Sequence, residues 1–224
     1  MAAKQNSSIL GEAKPSKAIV KLALPATLAL LAKAVYNIVD TAYIGMLKDD
    51  IALTAVGVTV PLLLIMVSIE NIFAAGAAVL AGRQLGAKDE DGASRTVTTI
   101  IGLSIVIGAI LCVGGIVFIE PLMRAFGASE ASLPLAKDYA FWMFVAALAN
   151  LPAQSMNCAA RAESSVKISS IAVITGALLN VVLDPIYIFV FGWGVTGAAI
   201  ATITSQLISA VILIFYFTRK SRMR

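Results

Sequence analysis

An asparagine, an aspartate and a proline interrupt the apolar stretch GALLNVVLDPIYIFVF at residues 176–191. Asn180 and Asp184 lie four residues apart, so a helix places them on one face, one turn from each other. A carboxylate in hydrocarbon costs about 2.5 to 3.5 kcal/mol on insertion scales, so it usually faces a bundle interior or a wet cavity. Carboxylate and amide oxygens in such a place indicate a site that binds a proton or a cation.

A second polar set lies in the first apolar stretch of the chain. Lys33, Asn37 and Asp40 follow each other at helical spacing on one face, with Tyr36 one position off. This pattern indicates a protein-lined or watery neighbour; the alternative is that Lys33 and Asp40 neutralise one another or anchor helix packing. Glu70, in the second apolar stretch, is either a coupling carboxylate or a local partner of Lys33.

The rise of a helix relates the depths of the three acids. At about 1.5 Å per residue, Asp184 lies about 25 Å along its helix from Lys167, and Asp40 lies about 28 Å from Lys21. Both acids are therefore expected in the outer half of a bilayer. The same rise places Glu70 nearer to the middle.

The elements that carry these residues must be membrane helices. The 224-residue chain is 59% hydrophobic and 13% charged, with a mean hydropathy of +0.92, which excludes an ordinary soluble domain. Apolar segments of about 20 residues indicate helices rather than barrel strands. We predict an all-α polytopic membrane protein with six transmembrane helices at residues 19–43, 55–81, 97–119, 139–159, 168–189 and 195–217.

The basic residues are distributed unevenly between the two sides of this bundle. Most Lys and Arg residues of the connections lie on the side that holds both termini, and such charges set orientation. We predict a cytoplasmic N-terminal tail at 1–17, a six-helix transmembrane lobe at 18–218 and a basic cytoplasmic end at 219–224. The chain is expected to be multi-pass in the cytoplasmic (plasma) membrane. Its net charge of +4 fits this topology and anionic lipid headgroups, without nucleic acid.

Enzyme chemistry finds little support in the sequence. The chain has no histidine, which removes the commonest metal ligand and a usual general base. The sequence also shows no arrangement of nucleophile and base. We expect neither an enzyme nor a bound cofactor.

Several segments match one family pattern when they are read in order. They are LALPATLALL with YNIVDTAYIG, then AAGAAVLAGRQLGAKD, then CAARAESSVK, and finally GALLNVVLDPIYIF with GWGVTGAAIATITSQ. Over nearly its whole length the chain resembles the multidrug and toxic compound extrusion (MATE) family. The resemblance implies an antiporter that exports organic, often cationic, compounds against an inward flow of H+ or Na+.

The resemblance also implies roles for individual residues. Asp40, Asn180 and Asp184 match the cation-coupling site, where Na+ is the only metal ion to consider. The candidates for cavity lining are Tyr36, Asn37, Asn157 and Thr202. Lys33 and Glu70 depart from the family pattern and are candidates for modulators of the proton affinity or the ion preference.

The family has two six-helix lobes with the substrate passing between them, and this chain corresponds to the N-terminal one. The expected partners are membrane lipids, a small organic substrate and a second six-helix lobe, either a missing C-terminal half or another chain. Two alternatives stay open. One is a lipid-linked saccharide flippase of a related superfamily, which would favour a basic central cavity. The other is a non-transporting membrane scaffold or half-transporter that needs a partner chain.

Overall fold

The fold is a bundle of helices in the computed structural model, which describes residues 15–221 and their side chains from residue 23 onward. The helices are α1 (Pro15–Met46), α2 (Asp50–Gly86), α3 (Glu90–Val117), α4 (Ile119–Ala125), α5 (Leu133–Ala162), α6 (Val166–Pro185) and α7 (Gly194–Arg219). A π-helical turn, Ile186–Val190, continues α6. No strand occurs within residues 15–221, and the predicted all-α fold is confirmed.

The six long helices account for the six predicted spans, but two spans run past the end of their helix: 97–119 passes Val117, and 168–189 continues from α6 into the π-helical turn. Each helix also extends beyond its apolar segment at one end or at both. The extension arises because polar terminal turns stay helical. Asp49 caps α2, for example, by accepting hydrogen bonds from the backbone N–H groups of Ile51 and Ala52. α1 begins at Pro15, inside the tail predicted for 1–17. The rest of that tail and residues 222–224 of the predicted basic end lie outside the described residues.

α5 is the central helix of the bundle. It packs against α2, α3 and α7 and carries the largest set of buried side chains. Five other helices of the described chain are long and apolar enough to cross a membrane, whereas α5 falls below that hydropathy although it contains the predicted span 139–159. Its polar residues, such as Asn150 and Gln154, line an internal cavity instead of facing lipid, so α5 does not need an apolar surface all round.

In a membrane the hydrophobic effect does not drive helices together, so their association depends on close van der Waals packing at small residues. Gly108 of α3 shows this at the contact with α5. A Cβ atom at Gly108 would meet the carbonyl oxygen of Ala147 at 2.9 Å, so only glycine allows this spacing. The core around this contact includes Phe144 and Leu151 of α5 and Met66 of α2.

α1 takes an unusual position for the first helix of a bundle. It packs mainly against α6 and makes few contacts with α2, its neighbour in sequence. α6 in turn packs against α7, and α7 joins this group to α5. The fold therefore leaves a gap between α1 and α2, and residues from both helices face that gap.

Candidate functional site

Asn180 connects α6 to α7 through hydrogen bonds of its side chain. Its side-chain Nδ2 donates one hydrogen bond to Oδ1 of Asp184 and another to Oγ1 of Thr202, each at 3.2 Å. Asp184 is 0% exposed and Asn180 1% exposed, so water does not satisfy these groups from the surface. The predicted helical spacing thus places Asn180 and Asp184 in contact, and Thr202 of α7 completes the set.

Three buried oxygens at this place have no hydrogen-bond partner among the described residues. They are Oδ1 of Asp40, Oδ1 of Asn180 and Oδ2 of Asp184. All three are acceptors when the carboxyl groups are ionised. Because buried acceptors without a donor are costly, such a group suits a proton or a cation as the missing partner. The set Asp40, Asn180 and Asp184 is called the acid site below.

Asp40 and Asp184 reach the acid site from different helices, α1 and α6. The two carboxyl groups lie within electrostatic range of each other. Tyr36 lies between the charged groups, since Asp40, Asp184 and Glu70 all act on it. The structure therefore brings together the two acids that the depth argument placed in the outer half of the membrane.

Tyr139 of α5 also belongs to this neighbourhood, and the sequence analysis does not single it out. It is 5% exposed and within electrostatic range of Asp40, Asp184 and Tyr36. A tyrosine near a helix end is common at membrane interfaces, so its position alone gives no functional signal. Only the central placement of α5 brings this side chain to the acid site.

Pro185 shapes the backbone directly after Asp184. Proline has no N–H, so it cannot donate to the carbonyl of Val181, and the helix widens into the π-helical turn Ile186–Val190. The turn closes with hydrogen bonds from Phe191 N–H to the Ile186 carbonyl and from Trp193 N–H to the Tyr187 carbonyl.

α7 approaches this turn closely at Gly197. A Cβ atom there would meet the carbonyl carbon and oxygen of Tyr187 at 2.7 Å. The close contact holds α7 against α6 near the position where Thr202 meets Asn180. Local backbone geometry and helix packing thus fix one side of the acid site.

A cavity of about 340 Å³ adjoins the acid site, because Asn180 belongs to the acid site and also lines the cavity. Its polar lining includes Lys33 and Tyr36 of α1, Glu70 and Asn71 of α2, Asn150, Gln154, Asn157 and Arg161 of α5, Asn180 of α6, and Gln206 of α7. Asn180 and Tyr36 stand at the end of the cavity nearest the acid site. Asp40 and Asp184 themselves are not among the lining residues.

The predicted lining residues occupy different places. Tyr36 and Asn157 line the cavity. Asn157 also joins α5 to α6, because it donates to the Ser169 carbonyl at 3.4 Å and accepts from the Ser169 hydroxyl at 2.9 Å. Asn37 is exposed and lies outside the lining, as does Thr202, whose hydroxyl instead accepts from Asn180. Lys33 and Asn37 are both exposed, but only Lys33, with Tyr36, lies in the cavity lining.

Lys33 and Glu70 form a pair of opposite charges across the gap between α1 and α2. Neither residue takes part in the ion pairs that join described residues, all of which lie among Glu120, Arg124, Glu130 and Lys137. The sequence left Asp40 and Glu70 as candidate partners of Lys33. The charge of Lys33 acts on Glu70.

Comparison with known proteins decides the family. The family model described as MatE matches residues 25–186, which is more than half of the chain. The chain belongs to the MatE family. As a MatE protein, it is 31% identical over 205 residues to the multidrug export protein MepA of Staphylococcus aureus. That alignment covers 92% of this chain and 46% of MepA.

Solved structures agree with this MatE assignment. The outward-facing conformation of a multidrug resistance MATE family transporter of the MOP superfamily superposes with a TM-score of 0.88 at 28% identity. The superposition covers 93% of this chain and 46% of the transporter chain. A MOP superfamily transporter from Pyrococcus furiosus superposes with a TM-score of 0.86 at 29% identity, over 93% of this chain and 46% of that one. The reversed polarity of its binding pocket suggests a different function for that transporter.

The MatE chain spans about half the length of the curated relatives it matches. This coverage is consistent with a single lobe. The matched proteins are integral membrane transporters and not enzymes, and the apolar helices of this chain agree with a membrane location.

Proposed function

We propose that this chain is the N-terminal lobe of a multidrug exporter and that Asp40, Asn180 and Asp184 bind the coupling ion, H+ or Na+. One observation carries the proposal: each of these residues has a buried acceptor oxygen without a donor among the described residues. Carboxylate and amide oxygens are hard ligands that suit a proton or an alkali cation. The coupling ion is the only non-protein group that the proposal places at this site.

Ion binding at this site would act on the packing of α1. Asp40 lies on α1, whereas Asp184 lies on α6, the helix against which α1 mainly packs. Two ionised carboxylates in a medium of low dielectric repel each other, and a bound proton or cation removes that repulsion. Binding would therefore stabilise the position of α1 on α6, and release would favour another position. Alternating access is biased in this way when the two states differ in ion affinity.

The proposed assembly contains a second six-helix lobe, on another chain or in a longer protein, with a small organic substrate held between the lobes. Both termini of this lobe lie in the cytoplasm, and the assembly lies in the plasma membrane. Blue native gels of the chain in mild detergent should show a particle that contains at least two lobes. A particle with one copy of the chain and no partner would contradict a second lobe on another chain and would favour a second lobe in a longer protein.

The test of coupling is dye efflux, driven by an inward H+ or Na+ gradient, from liposomes that contain the chain assembled with its second lobe. Efflux should vanish in the Asp40→Asn and Asp184→Asn variants, which keep the shape of the side chain and remove its charge. Asp138→Asn is the matched control, because Asp138 is an exposed acid on α5 outside the site. Undiminished efflux in both site variants would contradict the proposal. A stable heteromer that does not respond to either ion would favour the scaffold alternative.

A further inference from the structure

The charges that a ligand meets in the cavity differ from those of the acid site. The charged residues of the lining are Lys33, Glu70 and Arg161. Asp40 and Asp184 stand outside the lining, so a ligand held there does not contact them. A ligand in the cavity therefore meets two cations and one anion.

Lys33 and Glu70 both line the cavity and form no ion pair with each other. Lys33 projects from α1 and Glu70 from α2, and these two helices make few contacts with each other. The two side chains act on one another electrostatically without the direct contact that joins Lys137 Nζ to Glu120 Oε2 at 2.7 Å elsewhere in the chain. Each charge thus has room for a second partner of opposite sign.

The rest of the lining can bind a polar organic molecule. Asn71, Asn150, Gln154 and Gln206 supply amide donors and acceptors. Oε1 of Gln206 is buried and has no donor among the described residues, so it is a ready acceptor for a ligand N–H. The volume of about 340 Å³ lies within the range of small-molecule sites, and residues such as Leu30, Val173 and Leu213 supply apolar surface.

The arrangement of charges discriminates between classes of ligand. A simple organic cation would be attracted by Glu70 and repelled by Lys33, and a simple anion would meet the reverse. A molecule with one charge of each sign can pair with Lys33 and with Glu70 at the same time. Arg161, half-buried and donating to Sγ of Cys158 at 2.8 Å, adds positive charge on the cytoplasmic side, which further disfavours a ligand that carries only positive charge.

We infer that the cavity selects zwitterionic organic substrates, with Lys33 receiving the anionic group and Glu70 the cationic group. This inference rests on the proposed function and names the substrate class of that lobe. It assigns Lys33 and Glu70 to substrate recognition, whereas ion binding stays with the acid site.

The test uses two fluorescent rhodamine dyes that differ in one group, a free carboxylate in the zwitterion and its methyl ester in the cation. Their affinities for the full chain in lipid nanodiscs are measured by fluorescence anisotropy. The unchanged protein should bind the carboxylate dye about tenfold more tightly than the ester. Lys33→Met should abolish that preference while it keeps ester binding, which also shows that the cavity remains folded.

Two further variants complete the test. Glu70→Gln should weaken both dyes by a similar factor, since both keep the cationic ring system. Lys167→Met is the matched control, because Lys167 is exposed and outside the lining, and it should change neither affinity.

The outcomes separate the two levels of the account. Tighter or equal binding of the ester by the unchanged protein, or a preference that survives in Lys33→Met, overturns the inference and leaves the proposed function standing. If the unchanged protein binds neither dye, the proposed role in organic substrate binding fails together with the inference.

Discussion

Asn180 is the residue that joins the parts of the acid site. Its two N–H groups serve Asp184 on the same helix and Thr202 on the next, and its oxygen stays without a donor among the described residues. These two hydrogen bonds fix the orientation of the amide and so the direction in which its oxygen points. The geometry of the ion site therefore depends on a hydroxyl that does not itself carry charge.

The role of that hydroxyl can be tested with Thr202→Val, which keeps the shape of the side chain and removes the acceptor. The Asn180 amide then loses its fixed orientation, and we expect cation affinity to fall about threefold to tenfold, as for the loss of one hydrogen bond. The measurement is the increase in thermal unfolding temperature on addition of Na+ or acid. Thr204→Val is the control, since its hydroxyl donates only to the Ile200 carbonyl; equal effects of both variants would contradict the assigned role.

A separate set of charged residues stabilises the contact between α4 and α5, outside the membrane spans. Glu120 of α4 accepts a hydrogen bond from Lys137 of α5 at 2.7 Å and forms an ion pair with Arg124 at 3.2 Å. The hydrogen bond from Lys137, followed by that from Arg124, lowers the pKa of Glu120 below its ordinary value of 4.5. Because the pKa is lowered in the folded state, this contact stabilises α4 above pH 4.5, and the stabilisation is lost as the pH falls through the folded pKa.

The corresponding prediction concerns the titration of Glu120 itself. Carbon-13 NMR of the glutamate carboxyl groups should show Glu120 titrating below pH 4.5. Lys137→Met should raise that midpoint towards the ordinary value, whereas Lys167→Met should leave it in place. A midpoint that does not respond to Lys137→Met would show that the contact with Lys137 does not determine the titration.

At the scale of elements, the close contact between α7 and the π-helical turn positions the acid site. Gly197→Ala would place a Cβ atom 2.7 Å from the Tyr187 carbonyl, where the backbone cannot yield without moving a helix. We expect unfolding in detergent to become easier by about 1 to 3 kcal/mol, as for other overpacked contacts, and cation binding to weaken as Thr202 moves from Asn180. Gly102→Ala is the control, since a Cβ atom there meets nothing within 4 Å. Equal stability of the two variants would contradict this role of Gly197.

The helices themselves could be predicted from the sequence, because apolar runs of about 20 residues have few alternatives in a membrane. Their ends could not, since capping groups such as Asp49 continue the helix into polar sequence. The special status of α5 could not be predicted from hydropathy either. A central helix is surrounded by protein, so its residues need not resemble those that face lipid.

The candidate site could be predicted in part. Residue spacing and helical rise place Asp40, Asn180 and Asp184 at one depth, and the structure brings them together. The position of Asn37 outside the cavity lining depends on packing of α1 against α6 and is not set by spacing within α1. The position of Tyr139 near the acid site could not be predicted for the same reason, because it depends on packing between distant segments.

At the scale of the whole molecule, the acid site and the cavity are neighbours that share Asn180. The acid site lies where α1 meets α6, and the cavity with Lys33 and Glu70 lies in the gap between α1 and α2. α1 contributes to both, through Asp40 in one and Lys33 in the other. Movement of α1 on ion binding would therefore also change the shape of the cavity, and this provides a physical route for coupling.

Infrared difference spectroscopy of the chain in lipid, on addition of Na+ and on acidification, tests ion binding at the acid site most directly. It detects carboxyl groups themselves and does not require a complete transport pathway. The account predicts that at least one of the two ions changes the carboxyl bands of the unchanged protein and of Asp138→Asn, and that this change is absent in Asp40→Asn and Asp184→Asn. Identical difference spectra in the unchanged protein and in Asp184→Asn would contradict the account.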